Sequence, residues 1–547
     1  MREEYDKSML TFLRERRSNT GNRDVWSYYG SHMLRDDFYV EVDRLASFLL
    51  ERGYGKGSNI AICLPNIPNA VVAVYAVNKI GAVANIVHPL IPCEGMRHII
   101  KRVGSEVLFV FDLFYEEHRS TIEELGIPTI VCSAGDYVNG ARRMLLSLAT
   151  VTKTSGIKYC SNVMRYRDVM RTEIRDVVDE GRGEDIAVYL HSGGTMGESK
   201  TVMLSNRALN ALADNTSDLI GGVAEEDDGM LMVLPLFHGF GLGVCMHTTM
   251  CASCRMVMIP VFKPKSTIKT IKREHVTMLA GVPTMYDKLM REPTFVGDYL
   301  KDIKHCYCGG DKLPIDTKRR FDAIMHMVGS DVSISEGYGL TEVVAVCSVN
   351  TEEDARFPSV GKGLKGVEFA IVDRGGSRLE PGEIGEICVH SDTMMTGYYD
   401  DEESTSLAMT SDKTGKIWIH TGDIGYLDED GYLYFKDRLK RMVKISGMNV
   451  FPKEIEEIAE RVDGIEHAVA LSSTLEGKPI IKLLVVLKRG CTFDDSMKNT
   501  IRTAISSELM KYSVPRVIEA RESLPLTIVG KVDYRQLQDI ENNNIEE

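Results

Sequence analysis

The stretch 189–201 carries residue types that can hold a phosphate group. Glycines let backbone N–H groups converge on one point, hydroxyl side chains add donors, and a lysine adds positive charge. The candidate ligand residues of this loop are Ser192, Gly193, Gly194, Thr195, Gly197 and Lys200. The spacing differs from the Walker motif, because two residues separate Gly197 from Lys200. Taken alone, the loop fits either a phosphate cradle or a flexible surface turn.

Two further polar segments follow apolar runs that resemble buried strands. The run 332–335 is followed by Glu-Gly-Tyr-Gly-Leu-Thr-Glu at 336–342, a mixture that suits an aromatic platform beside a metal-bound phosphate. The run 230–234 is followed by Pro-Leu-Phe-His, which places His238 where α/β proteins keep their sites. A lone histidine among apolar residues is also often a packed core residue, so both interpretations of His238 stand.

The composition of the 547-residue chain favours a multidomain globular protein. Its net charge of -14 argues against nucleic acid as the main partner, since phosphate neutralisation needs a basic face. The sequence contains no run of 18 apolar residues, so no transmembrane helix is expected. The polar N-terminus is unlike a signal peptide, and a cytoplasmic location is therefore expected. The cysteine pairs 251/254 and 306/308 lack histidines at zinc-finger spacing, so buried, reduced thiols are expected rather than a metal site.

The elements that position these residues alternate between strand and helix patterns. From residue 37 to 335 the alternation predicts mostly parallel sheets covered by helices, although the segment 139–183 has no clear assignment. A formal G-x-G-x-x-G at 361–366 precedes a strand and opens no helix, so it is not a dinucleotide site. Short strands with hairpin turns then predict a β-rich, barrel-like subdomain at about 359–437, with Asp423 just before a hairpin at 424–435. The predicted fold is α/β, with a large domain 1–437 and a small, mobile α+β domain 438–547.

Six motifs in one order resemble the superfamily of acyl-CoA synthetases, amino-acid-adenylating domains and luciferases, over nearly the whole chain. The phosphate loop is similar at 192–201, although Gly193, Met196, Ser199 and Thr201 depart from the family pattern. The remaining matches are the aromatic–histidine segment 236–238, Y-G-x-T-E at 338–342, T-G-D at 421–423, the hinge motif at 437–440 with 447–456, and P-x-T-x-x-G-K at 525–531.

The resemblance implies a two-step reaction: a carboxylate attacks the α-phosphate of ATP, pyrophosphate leaves, and a thiol then displaces AMP from the acyl-adenylate. Such a site must neutralise phosphate charge and hold the reactants in line. The resemblance assigns phosphate binding to Thr195, Lys200 and Thr341, Mg²⁺ to Glu342, the developing charge to Lys531, and the acid's carboxylate to His238. It assigns the adenosine to Tyr338 with Gly309, Gly310, Glu336, Gly337, Asp423 and Arg438. Lys440 is expected to act as a hinge, and Gly447 to line the thiol entrance after the small domain rotates.

CoA is the expected thiol, because no carrier domain follows residue 547, and a homodimer is compatible with the family. An alternative is an enzyme that loads an aryl or amino acid onto a separate carrier protein; amino acids are disfavoured because 237–242 contains no aspartate. A non-catalytic ATP- or acyl-AMP-binding regulator is disfavoured because Glu342 and Lys531 are both present. The acid pocket is expected between 237–245, 279–283, 306–310 and 337–342, where glycines at 239, 241 and 243 would leave room for a fatty or other apolar acid.

Overall fold

A computed structural model describes residues 3–191, 200–217, 219, 224–225, 227–351, 354–445, 448–475, 478–526 and 532–546. The contacts between Cα atoms divide the chain into two compact units. The first unit comprises the described residues of 3–191, 200–368 and 390–419, and the second those of 369–389 and 420–546. The predicted domain boundary at 437/438 stays a prediction. Among the described residues, no helix combines the length and the hydropathy needed to cross a bilayer.

The first unit contains two large sheets whose central strands are parallel. The first sheet has eight strands, in the order Gly397–Tyr398, Thr201–Ser205, Ile186–His191, Val83–Ile86, Asn59–Cys63, Val107–Phe111, Thr129–Cys132 and Val163–Arg165. The second has nine strands, in the order Lys362–Gly363, Val346–Val349, Ile334–Gly339, His305–Cys308, Met278–Gly281, Gly229–Met232, Arg255–Met258, Asp24–Tyr28 and Ser31–Leu34. The central strands are short, buried and mostly apolar, which is typical of parallel strands buried on both faces.

Helices accompany these sheets along the chain. The α-helices of the first unit are Met9–Arg16, Arg35–Glu51, Pro68–Lys79, Cys93–Val103, Tyr115–Leu125, Gly140–Thr154, Tyr166–Val169, Asn206–Ser217, Thr249–Cys251, Pro264–Arg273, Pro283–Met290, Ile315–Met327 and Glu402–Ala408. A π-helix spans Phe240–Thr248, and 3₁₀ turns span Glu3–Tyr5, Asp112–Phe114, Asp298–Asp302 and Thr341–Val343. Helix Pro68–Lys79 is buried along its whole length, as its apolar sequence predicts, and it begins with proline at a position where the missing N–H costs nothing.

A smaller sheet and an α+β region complete the fold. The smaller sheet contains Glu368–Val372, Gly385–His390, Ile417–Leu427 and Met409–Ser411, with Leu433–Arg438 paired to Ile417–Leu427. After it come the hairpin Val443–Ile445 and Met448–Val450, and a three-stranded sheet of Ile465–Leu475, Lys478–Leu487 and Val517–Arg521. The helices here are Pro452–Glu460, Asp495–Glu508 and Tyr534–Glu546, with a 3₁₀ turn at Lys511–Ser513. Ile455, Leu483 and Ile501 lie at the centre of their shared core.

Two expectations about local structure are wrong, namely that 336–339 forms a loop and that Asp423 precedes a hairpin, and one strand was not predicted. The segment 336–339 is not a loop: strand Ile334–Gly339 continues through it and forms a hairpin with Val346–Val349. Asp423 does not precede a hairpin but lies inside the long strand Ile417–Leu427, directly opposite Arg438. The return strand Thr201–Ser205, between the phosphate loop and the next helix, was not predicted. In the first two cases pairing with a neighbouring strand extends the strand into residues whose polar or glycine-rich sequence favours a loop. The strand Thr201–Ser205 is a separate, mostly apolar strand that pairs antiparallel with Ile186–His191.

Candidate active site

Strand pairing closes the base of the phosphate loop. Strand Ile186–His191 pairs antiparallel with Thr201–Ser205, so that His191 stands opposite Thr201. The His191 ring accepts a hydrogen bond from the Thr201 hydroxyl through Nδ1 at 3.1 Å, and donates through Nε2 to Asn85 Oδ1 at 2.6 Å. Burial, and to a smaller extent the charge of Arg102, lowers the pKa of His191 to about 4, so the ring is neutral. Ser192, Gly193, Gly194, Thr195 and Gly197 lie outside the described residues.

The structure brings Lys200 and Glu342 to the same tyrosine, Tyr398. The Lys200 Nζ lies 4.4 Å from the centroid of the Tyr398 ring, and the Tyr398 hydroxyl donates to Glu342 Oε1 at 2.9 Å. Burial, followed by the neighbouring Glu342 carboxylate, raises the pKa of Tyr398 well above its ordinary value, so the hydroxyl stays a donor. Two main-chain contacts hold the three segments together: the N–H of Met395 donates to the carbonyl of Glu342 at 2.7 Å, and strand Gly397–Tyr398 pairs with Thr201–Ser205.

This cation–tyrosine–carboxylate trio has the chemistry that a magnesium phosphate requires. Lys200, Tyr398 and Glu342 offer a positive charge, a hydroxyl and a half-buried carboxylate within one small region. Mg²⁺ is typically held by one or two carboxylates together with phosphate oxygens and water, and Glu342 supplies a ligand of that type. Thr341 lies next to it, in the 3₁₀ turn Thr341–Val343, and is half-buried. Sequence reasoning found Lys200 and Glu342 but missed Tyr398, whose position carries no motif-like spacing.

The predicted adenine platform is fixed by backbone packing. Tyr338 is buried in strand Ile334–Gly339 opposite Ser348, and its carbonyl lies 3.4 Å from the thiol of Cys347. A Cβ at Gly339 would lie 1.6 Å from the carbonyl oxygen of Ala345, and one at Gly337 would lie 3.1 Å from that of Ser348. The hairpin therefore needs glycine at residue 339, because any side chain there would force the backbones apart.

Glu336 positions a neighbouring loop through a buried carboxylate. Its Oε1 accepts a hydrogen bond from the N–H of Leu313 at 2.7 Å, and its side chain is buried. The loop held in this way also carries Gly309 and Gly310; Gly310 has a positive φ of 80°, and Gly309 has Phe240 within 3.3 Å of where a Cβ would stand. The loop therefore presents backbone at this point, as the adenosine assignment of Gly309 and Gly310 requires.

His238 lies on the surface of an aromatic cluster rather than inside the core. Its ring centroid is 4.9 Å from that of Phe237, which in turn lies 4.0 Å from that of His88, and His238 is half-buried. The preceding segment is clamped by Asn66: its Nδ2 donates to the carbonyl of Leu234 at 2.9 Å, and its Oδ1 accepts from the N–H of Leu236 at 3.1 Å. Asn66 is thus a positioning residue that sequence reasoning missed, although it follows a predicted strand and lies in a proline-flanked loop.

The glycines at 239, 241 and 243 do not leave room for a substrate, contrary to the expectation. A Cβ at Gly239 would lie 1.6 Å from the carbonyl oxygen of Val344, and one at Gly241 would lie 2.0 Å from that of Pro235. At Gly243 the space is taken by the Leu212 side chain, at 2.5 Å. These glycines allow the chain to pack closely against its own backbone, so they shape the π-helix rather than an open pocket.

In the second unit, Asp423 and Arg438 are cross-strand partners. Asp423 is buried, Arg438 is exposed, and Arg438 Nε lies 3.6 Å from Asp423 Oδ1. The turn before Asp423 is held by Glu386, whose Oε1 accepts from the N–H of Gly422 at 3.0 Å. Lys440 is exposed in the turn that follows the strand Leu433–Arg438.

A second cation–tyrosine–carboxylate trio follows this turn. The Arg441 guanidinium contacts Glu456 Oε1 at 2.6 Å and stacks 3.7 Å from the Tyr534 ring centroid, while the Tyr534 hydroxyl donates to Glu456 Oε2 at 3.1 Å. Burial alone would lower the pKa of Arg441, but Glu456, Tyr534 and Asp437 together outweigh it and raise that pKa. Gly447 and Lys531 lie outside the described residues; the bridge between Leu526 and Val532 flanks the segment that contains Lys531.

Comparisons with known proteins identify the family of this chain. A family model described as AMP-binding enzyme matches residues 13–399, and one described as AMP-binding enzyme C-terminal domain matches residues 454–531. A long-chain-fatty-acid–CoA ligase of Bacillus subtilis (strain 168) is 28% identical over 98% of this chain and 95% of its own length. A long-chain-fatty-acid–CoA ligase of Salmonella typhimurium is 27% identical over 91% of this chain and 88% of its own length.

Solved structures show the same fold. ATP-bound MatB from Rhodopseudomonas palustris superposes with a TM-score of 0.83 at 22% identity, covering 98% of this chain and 100% of MatB. The anthranilate CoA ligase AuaEII in complex with anthranoyl-AMP superposes with a TM-score of 0.83 at 20% identity, covering 99% of each chain. The predicted fold class and superfamily are confirmed.

Proposed function

Because the chain belongs to the family of AMP-binding enzymes, we propose that it is an AMP-forming acid–CoA ligase that acts on an apolar carboxylic acid. In the first step a carboxylate oxygen forms a bond to the α-phosphorus of ATP, and the bond to the pyrophosphate oxygen breaks. In the second step the CoA sulfur bonds to the acyl carbon and AMP departs, while the thiol proton is released. ATP and CoA are therefore substrates of the reaction.

The observation that carries the proposal is the convergence of Lys200 and Glu342 on Tyr398. A carboxylate is a poor nucleophile toward an anionic phosphate, so the site must neutralise phosphate charge before attack. Lys200 supplies a fixed positive charge, and Glu342 supplies the ligand for Mg²⁺, which when bound would offset charge on the phosphate oxygens. Tyr398 keeps both groups in place from a third segment of the chain.

The remaining roles are proposals that the local geometry supports. Tyr338 lies at a fixed hairpin position and is assigned to the adenine, with the backbone of Gly309 and Gly310 beside it. The buried Asp423 carboxylate is assigned to the ribose hydroxyls, with Arg438 beside it. Thr341 is assigned to a phosphate oxygen, His238 to the acid's carboxylate, and Lys531 to the charge that develops in adenylation.

An apolar acid is favoured by the surroundings of His238 and by two relatives. The Phe237 ring contacts the His238 ring, and the two are tilted relative to each other. Leu236 and Leu242, which lie before and after this pair in the sequence, are buried. The two bacterial relatives described above are named long-chain-fatty-acid–CoA ligases, at 28% and 27% identity. We assign this chain to the same broad substrate class, a fatty or other apolar acid.

The test is an acid-dependent screen of both half-reactions. Pyrophosphate exchange into ATP, measured with short, medium and long-chain, aromatic and steroid-like acids, reports adenylation, and thioester formation with CoA reports transfer. We expect apolar acids to stimulate exchange and to give acyl-CoA. If an acid stimulates pyrophosphate exchange, gives no acyl-CoA and is instead loaded onto a carrier protein, then the carrier protein rather than CoA is the thiol acceptor. ATP hydrolysis that is independent of any acid would overturn the proposal.

A further inference from the structure

The helix Gly140–Thr154 is the most exposed apolar element among the described residues. No residue of this helix is buried, and Met144, Leu145, Leu148 and Val151 are 61%, 63%, 63% and 49% exposed. Single exposed leucines are ordinary on protein surfaces, but four large apolar side chains on one helix form a continuous patch. We call these four residues the apolar ridge. Keeping them in water is unfavourable, so the ridge indicates a binding surface.

The face of the helix opposite the apolar ridge packs against the rest of the protein. Leu146, Thr150 and Thr154 are half-buried and recur every four residues, so they share one face. Met144, Leu148 and Val151 lie three or four residues apart on the face turned away from the protein, with Leu145 beside them. The helix packs on the 3₁₀ turn Asp112–Phe114 and on helix Tyr115–Leu125. The apolar ridge therefore faces solvent, while the other face of the helix packs on these two elements.

The stretch of sequence that carries the ridge has a charge opposite in sign to that of the whole chain, whereas the helix Tyr115–Leu125, on which it packs, carries Glu116, Glu117, Glu123 and Glu124. The protein has a net charge of -14, yet the sequence from 137 to 167 contains no aspartate or glutamate. The same stretch contains the basic residues Arg142, Arg143, Lys153, Lys158, Arg165 and Arg167. Arg142 and Lys153 are exposed near the two ends of the helix, and Arg142 also donates to the carbonyl of Tyr29 at 2.8 Å. An apolar face with exposed cations at both ends matches an anionic lipid surface.

We propose that the helix Gly140–Thr154 docks the protein on the surface of an anionic lipid bilayer. The helix would lie in the plane of the interface, with the apolar ridge among the acyl chains and Arg142 and Lys153 at the headgroups. A second copy of this chain fits less well. Four side chains fall well short of the roughly 800 Å² that each partner buries in a standard interface, and a two-fold contact would bring two basic segments together.

Binding of the full-length protein to vesicles tests the proposal. The probe is a set of large unilamellar vesicles, either pure phosphatidylcholine or phosphatidylcholine with phosphatidylglycerol, recovered by flotation. We expect the protein to float with the anionic vesicles, to bind neutral vesicles more weakly, and to lose part of the binding as salt rises. The double variant Leu145→Ser/Leu148→Ser should bind at least about 10-fold more weakly, since each leucine contributes apolar area to insertion. Lys153→Gln should weaken binding to anionic vesicles only.

The control variant is Leu407→Ser, which removes an equally exposed leucine, 71% exposed, from a different helix. It should bind vesicles like the parent, and all variants should keep the parent melting temperature because none removes a buried side chain. Failure of the parent to bind anionic vesicles, or equal binding by the Leu145→Ser/Leu148→Ser variant, would overturn the proposal. So would a parent dimer that the same variant dissociates without any vesicle binding. The inference is independent of the proposed activity, because vesicle binding is measured without substrates.

Discussion

The two cation–tyrosine–carboxylate trios use the same chemical groups, but the carboxylate is half-buried in one and buried in the other. In the first unit, Lys200 lies over Tyr398, whose hydroxyl donates to the half-buried Glu342. In the second unit, Arg441 stacks on Tyr534, whose hydroxyl donates to Glu456, and Glu456 is only 2% exposed. We call the first the accessible trio, because its half-buried carboxylate can exchange water for phosphate or metal. We call the second the buried trio, because its buried carboxylate cannot do so, and its charges stabilise the fold around them.

The buried trio leads to the largest expected effect. Glu456→Gln removes the nearer of the two carboxylates that pair with the half-buried Arg441 guanidinium and leaves Asp437, at 3.7 Å, as its counter-ion. Breaking a buried pair typically costs about 3–5 kcal/mol, and because Asp437 remains we expect a loss of about 3 kcal/mol. Glu456 also accepts from the N–H of Ala470 at 2.9 Å, so the helix and the neighbouring strand both lose an anchor. The measurement is the denaturant midpoint of the full chain, followed by a probe in the second unit.

Glu454→Gln provides the matched control on the same helix. Glu454 pairs with Lys436 at 2.7 Å, but both side chains are more than a fifth exposed, and such pairs contribute about 1 kcal/mol or less. If Glu456→Gln were no more destabilising than Glu454→Gln, the buried trio would not be the structural element described above.

The accessible trio should show the opposite pattern, a loss of activity without a loss of stability. Glu342→Gln removes the carboxylate assigned to Mg²⁺, and removing one group that stabilises transition-state charge typically lowers turnover by about 10²–10³-fold. Acid-dependent pyrophosphate exchange measures the loss, and a titration of Mg²⁺ shows whether it depends on the metal. AMP binding and the melting temperature should stay near parent values. If the variant keeps the parent rate of pyrophosphate exchange at limiting Mg²⁺, the assignment of Glu342 as the Mg²⁺ ligand is wrong.

The sequence predicted the elements that apolar runs define. Apolar runs predict strands at 59–64, 106–111 and 303–307, and the structure has them at Asn59–Cys63, Val107–Phe111 and His305–Cys308. These predictions succeed because burial on both faces leaves a simple apolar signal. The helix Gly140–Thr154 was not assigned, because its apolar residues face outward and its flanking sequence is polar. Hydropathy patterns identify faces, but they do not say whether a face is covered.

The candidate site was only partly predictable, because its supporting contacts join distant segments. Lys200 and Glu342 belong to motifs, whereas Tyr398 reaches them only through strand pairing with Thr201–Ser205. Asn66 clamps Leu234 and Leu236, which lie about 170 residues further along the chain. Arg441 and Tyr534 are likewise distant in sequence but in contact in the structure. Such contacts depend on tertiary packing, and no local spacing in a single sequence records them.

The pH dependence of stability shows whether His191, at the base of the phosphate loop, contributes to stability as the buried trio does. Its folded pKa of about 4 lies below the unfolded value of about 6.5, so the unfolded chain binds more protons between these values. Stability should therefore fall as the pH drops from about 6.5 toward 4, with His191 contributing roughly 2 kcal/mol of the loss at pH 5. His191→Gln should flatten this slope. Denaturant melts at several pH values measure it, and an unchanged slope would contradict a neutral, half-buried ring.

The smallest effect is expected for Tyr398→Phe, which separates the two contacts of the accessible trio. The phenyl ring keeps the surface under Lys200, but the hydrogen bond to Glu342 is lost. Because a hydrogen bond to a charged group contributes about 1.5–3 kcal/mol when buried and less at a half-buried site, we expect a fall in adenylation of roughly 10-fold. Tyr398→Leu removes the ring as well and should fall further.

Tyr399→Phe is the neighbouring control for this substitution. The Tyr399 ring packs on Tyr189 at 5.2 Å, and its N–H, rather than its hydroxyl, bonds the carbonyl of Thr201 at 2.8 Å. The variant should therefore keep parent rates of pyrophosphate exchange. A Tyr398→Phe enzyme with parent activity would show that Lys200 and Glu342 act without the tyrosine between them. Equal losses in Tyr398→Phe and Tyr399→Phe would instead assign the effect to the strand pairing that both residues share, and the accessible trio would then be a structural element like the buried one.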